Sequence, residues 1–141
     1  MKTNIEFIDK PSREDQKIIF KIVYKDGLLH DIKAGYHDYS FFIKDKDDKI
    51  VGGIVCQHVE ALSELCIQLL GVNPSIKGKG FGKELMKRTE KLAKELKCDF
   101  IVVATLEYQI RGFYEKCGFE VEFVRKNKNS KLNRYYLRKD L

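Results

Sequence analysis

One short stretch limits the folds open to this chain more than any other: Val72-Asn73-Pro74-Ser75-Ile76-Lys77-Gly78-Lys79-Gly80-Phe81-Gly82-Lys83-Glu84-Leu85. An apolar, strand-like run ends at Val72, breaks at Pro74 and passes three alternate glycines before a lysine-bearing helix start. Glycine lets backbone approach a ligand closely, and a helix start offers N–H groups with no intrahelical partner and a partial positive charge. Strand, glycine loop and helix form a cradle suited to phosphate or pyrophosphate. Two common phosphate motifs fit poorly. Gly82-Lys83 is followed by Glu84, which has no hydroxyl for magnesium, so a P-loop is disfavoured. A dinucleotide-binding turn needs its glycines in the first strand–helix connection, whereas this loop follows about four strands. A tight turn that only packs a helix closely on a strand stays open as the plainer reading.

The pattern around the loop predicts one mixed α/β domain of α+β type over residues 1–141. Strands are expected over 3–8, 39–44, 49–59 and 62–72, then over 100–106, 119–124 and 132–138. Asp45-Lys46-Asp47-Asp48 supplies a polar hairpin turn between the second and third strands. Ser12 is placed to cap a first helix carrying Ile18, Ile19, Ile22 and Val23, and residues 24–39 read as a loop with a short helix. A strongly amphipathic helix is expected over 80–97, with Phe81, Leu85, Leu92 and Leu96 on one face. The continuously apolar run 100–106 fits a parallel strand covered on both faces, closing a strand–helix–strand crossover. A further short helix over 108–116 ends at Gly118.

Composition narrows the classes. With 141 residues, 43% hydrophobic and 34% charged, the chain can bury one core and is neither disordered nor membrane-spanning. The first residues lack the apolar core of a signal peptide, so a cytoplasmic protein is expected. Cys56, Cys66, Cys98 and Cys117 have no CxxC spacing and are expected to be reduced, packed as small apolar groups, with Cys56 and Cys66 facing each other across a hairpin. The three histidines lack metal-ligand spacing, so no metal site is expected. A net charge of +6 reads either as a lysine-rich solvated surface or as attraction to a polyanion, a multiply phosphorylated cofactor or nucleic acid, and argues mildly against a strongly cationic acceptor.

A second constellation, Arg111-Gly112-Phe113-Tyr114-Glu115-Lys116-Cys117-Gly118-Phe119, lies about thirty residues after the glycine loop. Together with Val72-x-Pro74-x-x-Lys77-Gly78-Lys79-Gly80-x-Gly82, it resembles the GNAT superfamily of acyl-CoA N-acyltransferases, and element order matches over almost the whole chain. The resemblance implies a mostly antiparallel sheet of about seven strands, flanked by helices and splayed between strands four and five. It also implies acetyl-CoA as cosubstrate. Amides from Lys77 through Gly78, Lys79, Gly80, Phe81 and Gly82 to Lys83 would hold the pyrophosphate, and the backbone of Leu70, Gly71 and Val72 would pair with the pantetheine arm. Lys79, Lys83 and Lys116 are candidates to reach phosphates, with plain solvation the alternative. Lys77 stands where the family has Arg or Gln and keeps the charge without the planar fork. Glu107 and Ile110 stand where Asn and Ala are frequent.

Moving an acetyl group from a thioester to a primary amine in a ternary complex requires a proton acceptor, an oxyanion donor and a proton for the thiolate. By the same resemblance Tyr114 is the candidate donor to the coenzyme A sulfur; a core tyrosine is its plainer reading. The family's glutamate position is occupied by Cys66, so Glu64, two residues earlier, is the candidate base, directly or through water. A strand bulge would change which residue faces the site, and a solvated role for Glu64 stays open. Tyr36, His37 and Tyr39 are candidates for the acceptor site, with Gln109 at its border; loop capping and packing is the alternative there. The acceptor is expected to be a small-molecule or peptide amine and the protein a monomer or homodimer. Two other readings compete: a non-catalytic acyl-CoA-binding or regulatory domain, and a basic nucleic-acid-binding protein. Nucleic acid is disfavoured because lysine and arginine form no aromatic-interleaved block.

Overall fold

The computed structural model describes residues 2–141, which divide into two compact units at Ala34/Gly35. The N-terminal unit holds α1, Arg13–Leu29, whose Ser12 cap accepts from the Asp15 amide at 3.1 Å as the sequence requires. The helix runs through Gly27 to Leu29, further than the pattern suggested. The Gly27 carbonyl receives the amides of both His30 and Ile32, closing the last turn and reversing the chain. Residues 3–8 are not a strand. Ile5 and Phe7 are exposed (103% and 89%) and no ladder includes them, so alternation without a partnering edge leaves the segment irregular.

The second unit is built on six strands: β1, Tyr36–Lys44; β2, Ile50–Val59; β3, Glu64–Val72; β4, Phe100–Leu106; β5, Glu120–Arg125; and β6, Arg134–Asp140. Their order is β1-β2-β3-β4-β6-β5, and every neighbouring pair except β3–β4 is antiparallel. The Asp45 carboxylate shapes the β1–β2 hairpin by accepting from the amides of Asp47 and Lys49. Two helices follow the sheet strands: α2, Phe81–Glu95, between β3 and β4, and α3, Arg111–Lys116, after β4. Helix α3 starts later than expected because Gln109 is used otherwise: its side-chain oxygen accepts from the Leu106 amide at 2.8 Å and from the Thr105 hydroxyl at 3.3 Å, finishing β4. No helix among the described residues is long and apolar enough to cross a membrane.

The core lies on one face of the sheet. Ile54, Cys56, Leu65, Ile67, Ile101, Val103 and Leu137 meet Leu85, Met86 and Ala93 of α2, together with Tyr114 and Phe119. Thr89, buried among them, donates to the Leu85 carbonyl. On its other face β4 is half-buried or exposed at Phe100, Val102 and Ala104, unlike the fully covered strand expected; the Arg138 guanidinium lies over the Phe100 ring there, 3.9 Å from its centre.

Two features of β3 position everything that follows. Its parallel ladder with β4 spans only Glu64–Ile67 against Phe100–Val103, and beyond Ile67 and Val103 the two strands separate. At the same place the register with β2 slips, since Val55 faces Leu69 and Cys56 faces Ile67, leaving Gln68 as a bulge. Leu65 and Ile67 before the bulge, and Leu70 and Val72 after it, therefore all pack toward the core. The slip also sets Cys56 opposite Ile67, not opposite Cys66, and all four cysteines are free thiols.

Lys139 on β6 ties the layers together. Its ammonium donates to Glu90 Oε1 on α2 and to the Cys117 carbonyl at the end of α3, both at 2.6 Å. Less than a quarter of either charged side chain is exposed (24% and 23%). Lys139→Met keeps the stem but leaves a mostly covered carboxylate and a carbonyl without their donor. It should lower unfolding free energy by roughly 1–3 kcal/mol in urea titration; wild-type stability would mean the pair is only a solvated contact.

Candidate functional site

Where β3 and β4 part, a groove of about 520 Å³ opens. One wall is the end of β3, at Leu70, Gly71 and Val72; these residues pair with β2 on one side, and their other backbone edge has no strand partner. The floor is the loop into α2, at Ile76, Lys77, Gly78, Gly80, Phe81, Gly82 and Lys83. The far wall is the β4–α3 connection, at Tyr108, Gln109 and Ile110, with Phe113 behind it.

The loop's shape follows from its sequence. The Asn73 side chain accepts from the Ser75 amide at 2.9 Å and caps a single turn, Pro74–Ile76. Gly78 and Gly80 then adopt left-handed backbone (φ +77° and +83°), where a Cβ would be strained, and a Cβ built on either would meet only open space. Gly80 is the N-cap of α2 and supplies no side-chain cap, so the amides of the first turn are left for something else. Gly82 serves packing: a Cβ there would stand 3.4 Å from the Phe113 ring, which brings α3 close against the start of α2.

Nine of the eleven residues expected to bind the cofactor line this one groove: Leu70, Gly71, Val72, Lys77, Gly78, Gly80, Phe81, Gly82 and Lys83. Lys79 does not line it. Lys116 lines a neighbouring cavity of about 540 Å³ that shares Gly80, Lys83 and Phe113 with the groove and includes Cys117. Gln109, expected at an acceptor border, lies in the groove wall with its oxygen committed to β4. Ile76, Tyr108, Ile110 and Phe113 complete the lining and Gln68 stands where the strands separate; none of the five was among the expected binding residues. The signals available were the apolar residues flanking the glycines and the single polar residue interrupting Ile67-Gln68-Leu69-Leu70.

Tyr114 is 4% exposed, packed edge-on against Phe113 and Phe119 with ring centres 5.5 and 5.7 Å away. Burial, aided by the Cys117 and Cys56 thiols, pushes its hydroxyl up to about 12. Among the described residues no group is hydrogen-bonded to that hydroxyl, and no fully enclosed side-chain oxygen is left unsatisfied, so it keeps an opening to solvent.

The other expected site residues stand apart. Glu64 pairs with Phe100 at the closed end of the β3–β4 ladder, three residues before the strands separate. Burial, then the nearby Glu122, raises its carboxyl, while Arg138 opposes them. Cys66 lies between Glu64 and the opening, its thiol raised by burial and by Glu64. Tyr36, His37 and Tyr39 sit on β1, two strands from β3, with the His37 and Tyr39 rings 4.4 Å apart. Tyr39 lies level with the opening through Cys56 and Ile67, but none of the three lines the groove.

Comparison with known proteins gives the same architecture. The chain aligns at 22% identity over 99% of its length, and all of the other chain, with a proposed acetyltransferase from Agrobacterium tumefaciens (TM-score 0.89). With an acetyltransferase from Bacillus cereus it shares 24% identity over 96% of this chain and 98% of that one (TM-score 0.79). A proposed streptothricin acetyltransferase from Bacillus anthracis, solved with acetyl coenzyme A, matches at 21% identity, 79% and 67% coverage and a TM-score of 0.65. At these identities the likenesses establish the fold alone. None of the curated proteins matches the chain. The sequence profile of the acetyltransferase (GNAT) family, however, matches residues 7–119. The splayed parallel pair, the left-handed glycine loop at the start of α2 and this match together place the chain in the acetyltransferase (GNAT) family.

Proposed function

We propose that the chain is an N-acetyltransferase domain, carrying acetyl from acetyl-CoA to a primary amine by direct attack in a ternary complex. The observation that carries this reading is the coincidence, in one groove, of an unpaired β3 edge and an uncapped α2 N-terminus reached through Gly78 and Gly80. The residues fit the group they would hold. A helix start with open left-handed glycines accepts pyrophosphate, and Lys77 and Lys83 add charge beside it. The free edge of Leu70, Gly71 and Val72 suits an amide-bearing arm added like a further strand. When bound, acetyl-CoA supplies a thioester, an acyl group already activated for attack by nitrogen.

The chain's own groups then have three tasks. Backbone N–H near Val72, fixed by the ladder with β2, donates to the developing oxyanion. Tyr114, protonated at any working pH because its hydroxyl is raised to about 12, donates to the departing sulfur. The amine must shed a proton, since an alkyl ammonium titrates near ~10.4. We assign its acceptance to Glu64 through water and not by contact, because about 10 Å of closed ladder lies between that carboxylate and the opening. The N–C bond forms and the C–S bond breaks; of the two protons an ammonium loses, one leaves toward Glu64 and the second ends on the departing sulfur by way of Tyr114, which takes it from the nitrogen as it donates its own.

Two variants test the assignment. Tyr114→Phe removes a hydroxyl that has no hydrogen-bond partner among the described residues and should fold normally, yet lower kcat for thiol release about tenfold or more with little change in the KM for acetyl-CoA; an unchanged kcat would end its leaving-group role. Gly80→Val forces a β-branched residue into left-handed backbone and should raise the Kd for coenzyme A at least about tenfold by calorimetry, through lost loop geometry. Wild-type affinity in a folded Gly80→Val protein would remove the basis of the cofactor site.

A further inference from the structure

One hairpin of this protein carries an uncompensated excess of positive charge. Between Glu122 and Asp140 the chain has seven lysines and arginines and no carboxylate, so +6 less that +7 leaves the remainder at −1. Two of the seven are neutralised within the fold, Arg138 by Asp140 and Lys139 by Glu90. Arg125, Lys126, Lys128, Lys131 and Arg134 form no ion pair among the described residues. Arg125 and Arg134 also stand directly opposite each other in the β5–β6 ladder, an arrangement that destabilises a hairpin. They converge on Tyr136: the Arg125 guanidinium lies 5.5 Å from its ring centre, and Arg134, two residues before it on the same face of β6, holds its hydroxyl below the usual tyrosine range. Two planar forks beside one phenol, with no acid to meet them, form a receptor for a carboxylate or phosphate.

Its position assigns the ligand. Arg134 is in register with Leu106, the last residue of β4, at the end where β4 has parted from β3. The hairpin is bonded to the groove wall, with the Glu107 amide donating to the Asn133 carbonyl and the Tyr108 amide to the Lys131 carbonyl. Along β6, Tyr135 and Leu137 point toward α3 and the core, Tyr135 lying 4.1 Å beneath the Arg111 guanidinium. Arg134 and Tyr136 therefore face the opposite side of the sheet from the glycine loop. The glycine loop lies on one face of the sheet and the arginine pair on the other, at the same end as the opening between β3 and β4.

We propose that Arg125, Arg134 and Tyr136 bind an anionic group on the acceptor, so that the preferred substrate is a small amine that also bears a carboxylate or phosphate. This rests on the acetyltransferase reading above. The test measures thiol release from acetyl-CoA with matched amines, γ-aminobutyrate against γ-aminobutyramide and phosphoethanolamine against ethanolamine, in wild type and the Arg125→Gln/Arg134→Gln double variant. Wild type should favour at least one anionic member roughly tenfold to a hundredfold in kcat/KM, and the pair that shows it distinguishes carboxylate from phosphate. In the double variant that ratio should fall toward one while the KM for acetyl-CoA stays put. Equal use of charged and neutral amines by wild type overturns the inference and leaves acetyl transfer standing. A ratio retained in the double variant overturns it too, as does a raised KM for acetyl-CoA with the ratio intact. Absence of turnover with every amine overturns both readings.

Discussion

The premature end of one parallel ladder governs this protein. Four residues of β3 pair with four of β4, and then the strands diverge while their outer edges stay bonded to β2 and β6. Each inner edge is left with backbone donors and acceptors that have no strand to meet. In most sheets such an edge lies at the perimeter and invites aggregation. Here it lies inside the sheet, walled by α2 and the β4–α3 connection, where a ligand of the right width can reach it and a second protein chain cannot.

Anchoring that opening takes several independent devices. Packing of Phe113 against Gly82 draws α3 onto α2, and Lys139 ties the end of α3 to α2 and β6. Gln109 finishes β4 with its side-chain oxygen, while the β5–β6 hairpin grips the next two residues through backbone bonds. Arg111 pairs with Glu115 within α3 at 3.3 Å and lies over the Tyr135 ring of β6. Most of these contacts are modest singly, but they fix α2, α3 and the β4–α3 connection against the same β6 strand and its hairpin. The sulfur-donor candidate Tyr114 lies within this frame, buried enough to stay protonated and open enough to donate.

Much of the groove was legible in the chain because its loop depends on local chemistry. Alternate glycines after a strand dictate left-handed turns, Asp45 and Ser12 announce a hairpin and a cap, and the loop-to-Phe113-Tyr114 spacing places α3 beside the loop. What stayed hidden depends on partners distant in sequence. The alternation of Asn4, Ile5, Glu6 and Phe7 has the strand period, but a period does not supply an edge to pair with. The bulge at Gln68 is a property of register with β2, which no window along β3 contains. The commitment of the Gln109 side-chain oxygen to the Leu106 amide arises only once β4 stops there. The basic hairpin was visible as charge, whereas the opposition of Arg125 and Arg134 appeared only with the ladder.

The slip at Gln68 makes β3 two short strands in series that share a backbone but not a phase. The first is locked by β2 and β4 together and belongs to the core; the second answers to β2 alone and belongs to the groove. Because each half has its own register, drift in the packing residues of the first need not rotate the amides of the second. A lineage carrying this sheet can rebuild its interior around Leu65 and Ile67 while the backbone at Leu70, Gly71 and Val72 keeps its aim.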